Sequence, residues 1–356
     1  MAEQKMAKTV GLYEPAGFFL LRTPAMPADA FIRMLAPDDN EGDQNNKSGE
    51  HARQTYDVLS NMAGDPATEL ALFVASANLH EGLARAQSKE SKPGRIKRAY
   101  SRLLRYLIRM STRPTPFGLF SGVAVGTLDK QTTLQLGQTA ITSMRTRPDM
   151  GWLLNLIQRI EEDSAVRPFL HVMANKAVYI AGARAILPNA DVYGLGDNRS
   201  IALRATPVVQ FLLEKAKDPL PFEELRRELC STFPQAPLEK VDAVLQQLWE
   251  MHFLISDLRP PLTDAQPERY ILEHLRMIPQ LQELADELEK IIEQCHAIDE
   301  AGIQNSLPQV SQLVEQQKRM FPTYNERTYQ VDARLGLKET QLNQEVGTAV
   351  VDTIET

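Results

Sequence analysis

The pattern of apolar and polar positions changes period several times along the chain. FFLLRTP, within residues 1–36, is a short apolar run closed by prolines and predicts a strand followed by a linker. Residues 37–51 carry almost no apolar side chains and predict a mobile loop. Helical periodicity follows around 52–63 and 66–87, and again in GRIKRAYSRLLRYLIRMSTR from Gly94. SGVAVGTL (121–128) and TTLQLGQTAI (132–141) alternate as strands do. RPDMGWLLNLIQRIEED opens a helix, with Pro148 and Asp149 suited to its first turn.

The middle of the chain has a different rhythm. NKAVYIAGARAILPN and NRSIALRATP predict short strands joined by Gly and Asn turns. TPVVQFLLEKA, FEELRRELCSTF and LEKVDAVLQQLWEMHF then predict three short amphipathic helices, with LISDLRPPL as a final strand or wing. This order describes a winged helix-turn-helix. Its third helix sets Glu239, Asp242 and Glu250 against Lys240, which argues against DNA reading and for peptide capture along a strand edge. From Pro267 to about Ile298 one long helix is predicted through Leu272, Leu275, Ile278, Leu281, Leu284, Leu288 and Ile292, spaced for core packing or helix pairing. TYQVDARLG reads as a strand in which Val331 and Ala333 flank Asp332. The last segment is apolar at Val346, Val350 and Ile354 without a cap or polar tail, so we expect missing sequence or a partner to complete the unit. The expected class is α+β, mixed strands and helices with an embedded winged helix-turn-helix, divided at 1–165, 166–262 and 263–356.

Composition narrows the function. At 356 residues, 43% hydrophobic and 24% charged, the chain has the make-up of a folded globular protein, with length for two or three domains. No run approaches the roughly 20 apolar residues of a membrane span, and the N-terminus lacks the features of a secretory signal, so a cytoplasmic protein is expected. Cys230 and Cys295 suit reduced thiols, and the scattered histidines offer no metal-ligand spacing. The net charge of −7 argues against nucleic-acid binding by the whole surface, but between Arg85 and Arg113 ten Lys or Arg residues face the single acid Glu90.

On a helix, Arg95, Arg98, Arg102, Arg105 and Arg109 fall within an arc of about 80° along roughly 21 Å of axis, opposite Ile96, Tyr100, Leu103, Leu107 and Met110. Such a row repels itself unless phosphates or carboxylates face it; acids elsewhere in the fold are the alternative partners. Arginine rather than lysine favours forked contact with oxyanions. TRPTPFGLFSG follows directly. Pro114 and Pro116 end the helix and hold Arg113 and Thr115 extended, while Phe117, Leu119 and Phe120 can pin the turn into a core.

Together, RPTPFGLFSG, the upstream FFLLRTP and the downstream RPDMGW resemble the N-terminal part of class I lanthipeptide dehydratases, the LanB-type enzymes, which have relatives in thiopeptide biosynthesis. The resemblance runs from about Phe18 to the end of the chain and covers only the front of a longer glutamylation region, without the elimination domain. It implies transfer of glutamate from glutamyl-tRNA to Ser or Thr of a precursor peptide, with no cofactor beyond that tRNA. Carried over by motif, Arg22, Arg109, Arg113, Thr115, Asp149 and Asp332 match positions the family uses in glutamylation. Charge assigns Arg95, Arg98, Arg102 and Arg105 to the tRNA, and the resemblance adds Arg147 of RPDMGW to them. No conventional base is present, and which Asp takes the proton is open. The resemblance further assigns the winged segment to leader-peptide recognition, with Ser200, Ile201, Ala202, Leu203 and Arg204 and a helix bearing Val241, Leu245 and Leu248 as the groove. A second protein carrying the rest of the dehydratase, or a homo-oligomer, is the expected partner. Two other readings stay open: a non-catalytic leader-binding module of a split enzyme, and a peptide aminoacyl-tRNA ligase.

Overall fold

The computed structural model describes residues 11–35, 47–87, 92–194, 196 and 198–355; most of the acidic segment expected to form a loop lies outside them. The chain divides into two compact units, one of residues 1–146, 296–312 and 330–356, the other of 147–295 and 313–329.

The first unit begins with β1 (Phe18–Pro24) and the helices α1 (Ala28–Leu35), α2 (Lys47–Ala63), α3 (Pro66–Ala75), α4 (Ala77–Ala86) and α5 (Pro93–Thr112). Asp65 caps α3 by accepting from Thr68 N at 3.0 Å, with Pro66 in the first turn. The single helix expected over 66–87 is broken at Ser76, whose extended backbone ends α3 while its hydroxyl accepts from Leu79 N to start α4. β2 (Ser121–Asp129), β3 (Thr133–Pro148) and β10 (Tyr329–Asn343) complete a four-stranded sheet in the order β1-β2-β10-β3. β1 pairs antiparallel with β2, whereas β10 runs parallel to β2 and joins it from the far end of the sequence.

One face of this sheet is buried. Val331, Ala333 and Leu335 of β10 lie inward, and a side chain on Gly122 would collide with Leu335 Cδ2 at 2.6 Å. The other face is open: Phe18, Leu20 and Val125 are 54%, 53% and 64% exposed, and Leu20 is the register partner of Val125. α13 (Gln344–Glu355) ends the unit with Val346, Val350 and Ile354 exposed.

The second unit contains α6 (Met150–Glu162), β4 (His171–Ala174), β5 (Tyr179–Ala181), β6 (Arg184–Leu187), β7 (Ile201–Arg204), α7 (Pro207–Lys215), β8 (Leu220–Pro221), α8 (Phe222–Thr232), α9 (Leu238–Glu250), β9 (Leu254–Ser256) and α10 (Pro267–Arg276). Two three-stranded sheets result, β8-β4-β9 and β5-β6-β7, with β7 at an edge. β9 pairs with β4 rather than with the β5-β6-β7 sheet. α11 (Gln282–Ala301) and α12 (Leu307–Met320) each belong partly to both units. The long helix expected from Pro267 is interrupted before Pro279, where a missing N–H and a restricted preceding residue end α10. Its apolar row persists across the break as Ile271, Leu275, Ile278, Leu281, Ala285 and Leu288, all buried. Among the described residues no helix is long and apolar enough to cross a membrane.

Candidate functional site

In the first unit, α5 buries Tyr100, Leu103, Leu107 and Met110 and leaves Arg95, Arg98, Arg102 and Arg105 exposed. Arg98 and Arg105 donate through Nε to carbonyls of their own helix, Gly94 and Ser101, at 3.1 and 3.2 Å. None of the four is paired with an acid among the described residues. Acids among the described residues therefore do not neutralise this row.

Arg109 differs. Its guanidinium lies 4.2 Å from the centroid of the Phe117 ring, and its Nε is buried without a hydrogen-bond partner. Phe117 is only half-buried and supports Arg109, rather than sinking into the core as expected; Leu119 and Phe120 do that, with Phe120 edge-on to Tyr106. Gly118 sits at φ +55 with its missing Cβ 3.0 Å from Val74 Cγ1, so the turn needs glycine twice over. Arg113 ends the helix in extended geometry, φ −114 and ψ 117, and its N–H donates to Arg109 O at 3.1 Å. Its side chain and Thr115 are exposed.

Register joins other residues of the first unit. Arg22 of β1 and Arg334 of β10 are both partners of Val123 in β2, so the three form one row across the open sheet face. Asp332, two residues before Arg334, belongs to the same face of β10 and accepts from Gln330 Nε2 at 3.0 Å. At the β3 edge, Asp299 accepts the Thr146 N–H at 2.9 and 3.0 Å. Burial pushes the Asp299 carboxyl up, with the Thr146 bonds, His296 and Arg145 opposing.

The second unit holds Arg147, half-buried, and Asp149. Asp149 is the N-cap of α6 rather than part of its first turn: its carboxylate accepts from Gly151 N at 2.8 Å, and its own N–H donates to Thr328 O. A Cβ on Gly151 would meet the Tyr324 hydroxyl at 2.8 Å, so glycine lets this phenol approach the helix start. Burial, then the nearby Asp149, raises the Tyr324 pKa. Arg334 and Tyr324 escaped sequence reasoning because only register and close approach reveal them.

On the peptide side, Ser200 to Arg204 comprise β7 and the residue before it, half-buried to exposed on an edge strand. Val241, Leu245 and Leu248 need correction: all three are buried in the unit's own core and cannot line an open groove. The outer side of α9 is Asp242, Ala243, Gln247 and Glu250. Behind it, His252 sits at φ 58 just past α9, where glycine is usual, and Phe253 N donates to Leu248 O across the turn. Its ring is edge-on to Tyr193 at 5.3 Å. Burial, then Arg259, lowers its pKa, opposed by Glu161 and a bond to the Ala190 backbone. The unfolded chain thus takes up a proton near pH 6.5 that the folded chain resists, so this residue costs stability as pH falls below that value. His252→Asn keeps a side chain tolerant of positive φ. Its thermal midpoint is expected to fall less between pH 7.5 and 5.5 than that of the unmodified chain; equal falls would dismiss His252 as a source of the slope.

Residues 64–356 match the family model described as lantibiotic dehydratase, N terminus. The chain is 27% identical over 344 residues to the subtilin biosynthesis protein SpaB of Bacillus subtilis, covering 95% of this chain and 31% of that protein. Its structure is similar to that of the tRNA dependent lantibiotic dehydratase MibB from Microbispora sp. 107891, with TM-score 0.72 and 26% identity, over 97% of this chain and 31% of MibB. It also shares its fold with the glutamylation domain of TbtB from thiomuracin biosynthesis, at TM-score 0.58 and 19% identity over 86% of this chain and 37% of that one. The chain thus spans about a third of the length of these relatives. With the opening motifs placed on the turn, strand and helix start described above, the chain belongs to the lantibiotic dehydratase family, whose N-terminal part it matches.

Proposed function

We propose that this chain supplies the tRNA-facing part of a glutamylation enzyme, which transfers glutamate from glutamyl-tRNA to Ser or Thr hydroxyls of a precursor peptide and works with the remainder of the dehydratase. The observation that carries this reading is the exposed arginine row of α5, unpaired by acids among the described residues and ending in the turn that seats Arg109 on Phe117. A row of guanidinium forks suits successive phosphates, and the rigid tip suits the acylated end. The glutamyl ester is already activated, so the protein's task is to hold the hydroxyl against the carbonyl and to stabilise the developing oxyanion. Arg22, Arg109, Arg113 and Thr115 are assigned to that task. Asp149 and Asp332 remain the two candidates for handling the hydroxyl proton, and Arg147 is kept as a tRNA contact.

The β5-β6-β7 sheet with α7 to α9 is assigned, as a winged helix-turn-helix, to leader-peptide recognition. The free edge of β7, Ser200 to Arg204, would accept the peptide as an added strand.

The test combines this chain with a polypeptide carrying the rest of the dehydratase, the precursor and glutamyl-tRNA, and reads the peptide mass. A gain of glutamate supports transfer; gain of another amino acid at a terminus would favour the ligase reading. For the arginine row, Arg102→Ala with Arg105→Ala is expected to weaken tRNA binding and to reduce its salt slope by about one per lost phosphate contact. An unchanged slope would remove both residues from the RNA contact.

A further inference from the structure

We infer that Arg334, which no motif singled out, forms with Arg22 an oxyanion clamp on the open face of the first unit's sheet, and that the clamp holds the acylated end of the tRNA. The inference rests on the tRNA reading proposed above and extends its site to a further binding residue.

Three observations carry it. Arg22 and Arg334 flank Val123 in one row, two strand spacings or about 10 Å apart, so both forks can reach one anionic group or two neighbouring groups of one ligand. Both are exposed, and neither has a hydrogen bond or ion pair among the described residues. Arg334 is also held in place. Its neighbours Ala333 and Leu335 are buried, Leu335 fills the space left by Gly122, and the β2–β10 register shifts directly after Arg334 before resuming at Gln341. Such irregularities re-aim side chains beside functional sites. An arginine anchored on a central strand loses less freedom on gripping an anion than one on a loop, and two like charges in one row favour a shared anionic ligand.

The rows next to the pair are apolar on one side, through Leu20, Val125 and Phe18, and acidic on the other, through Asp332. The anion is thereby set between an apolar platform and the carboxylate that is one candidate for the hydroxyl proton. Two oxyanions of one molecule fit: a terminal phosphate of the tRNA or the side-chain carboxylate of its glutamyl group.

Equilibrium binding of the full chain to glutamyl-tRNA and to the same tRNA uncharged tests the clamp. Arg334→Ala is expected to weaken glutamyl-tRNA binding by about 10-fold or more, since a charge-assisted hydrogen bond contributes about 1.5 kcal/mol or more. Arg334→Lys should recover only part of that affinity, because an ammonium lacks the fork. Losses for Arg22→Ala and Arg334→Ala that are less than additive in the double variant would support one shared ligand. An equal loss for charged and uncharged tRNA assigns the phosphate; a loss confined to glutamyl-tRNA assigns the carboxylate. If Arg334→Ala keeps its thermal midpoint and binds both like the unmodified chain, while Arg102→Ala with Arg105→Ala binds weakly, the clamp is overturned and the tRNA reading stands. If the unmodified chain binds neither tRNA, both fall.

Discussion

Glu161→Ala is expected to lower the melting temperature of the second unit by about 10 °C, the largest single effect on stability anticipated for this chain. Glu161 is 3% exposed. Its carboxylate accepts from Ser256 N at 3.0 Å, Ser256 Oγ at 2.7 Å, Arg259 Nη2 at 2.6 Å and the Tyr193 hydroxyl. Arg259, 11% exposed, also donates to Val192 O at 2.7 Å and lies over the Tyr193 ring. One side chain on α6 thus ties β9, Arg259 and the segment leading to β7 together. Removing it strands a nearly buried guanidinium, and breaking a buried pair from one side costs about 3–5 kcal/mol. At about 2–4 °C per kcal/mol for a unit of this size, the shift follows. Glu161→Gln retains an acceptor and should lose less. Glu161→Leu combined with Arg259→Met should also lose less than the alanine variant, because no charge is left behind. Scanning calorimetry would decide; a midpoint for Glu161→Ala within about 2 °C of the unmodified chain would show that the network contributes little.

The second large effect is on chemistry. Arg113→Ala in the reconstituted assay is expected to lower glutamate transfer by about a hundredfold or more, the usual loss when one donor to a developing oxyanion is removed. Arg113 is exposed and its backbone is fixed by Pro114 and by the bond from its N–H to Arg109 O. The substitution should therefore leave the fold intact and reduce kcat with little change in KM. Arg109→Ala should combine a similar loss with some destabilisation, because it uncovers Phe117. Mass spectrometry of the precursor reads both. Full transfer by Arg113→Ala would place the oxyanion donor elsewhere, with Arg109 and the Arg22–Arg334 pair next in line.

What could be read from the sequence depended on how local the cause was. The arginine row and its buried opposite side follow from helical period alone, and α5 has both. Prolines 114 and 116 announce the stop after it. The strand FFLLRTP and the alternation of TYQVDARLG are likewise local. The misses arise where two local signals compete or where partners are remote. Ser76 carries a cap that helical periodicity over 66–87 conceals. Pro279 was outweighed by an apolar spacing that the structure retains on both sides of it. Val241, Leu245 and Leu248 show that an apolar stripe on a short helix marks the core more readily than a groove. Asp299 and Thr146 meet across 153 positions, and Arg334 shares a row with Arg22 only because β10 enters beside β2; neither juxtaposition leaves a local trace.

The place of β10 between β2 and β3 also has a cost during synthesis. β3 ends at Pro148 and β10 begins at Tyr329, so the ribosome must add about 180 residues, taking roughly 10–35 s at 5–20 residues per second, before the gap can close. Through that interval the nascent chain exposes unpaired main chain on both flanking strands. Protection by a chaperone is therefore expected to matter most for the first unit, although it starts at the N-terminus, and expression at lower temperature should raise its soluble yield.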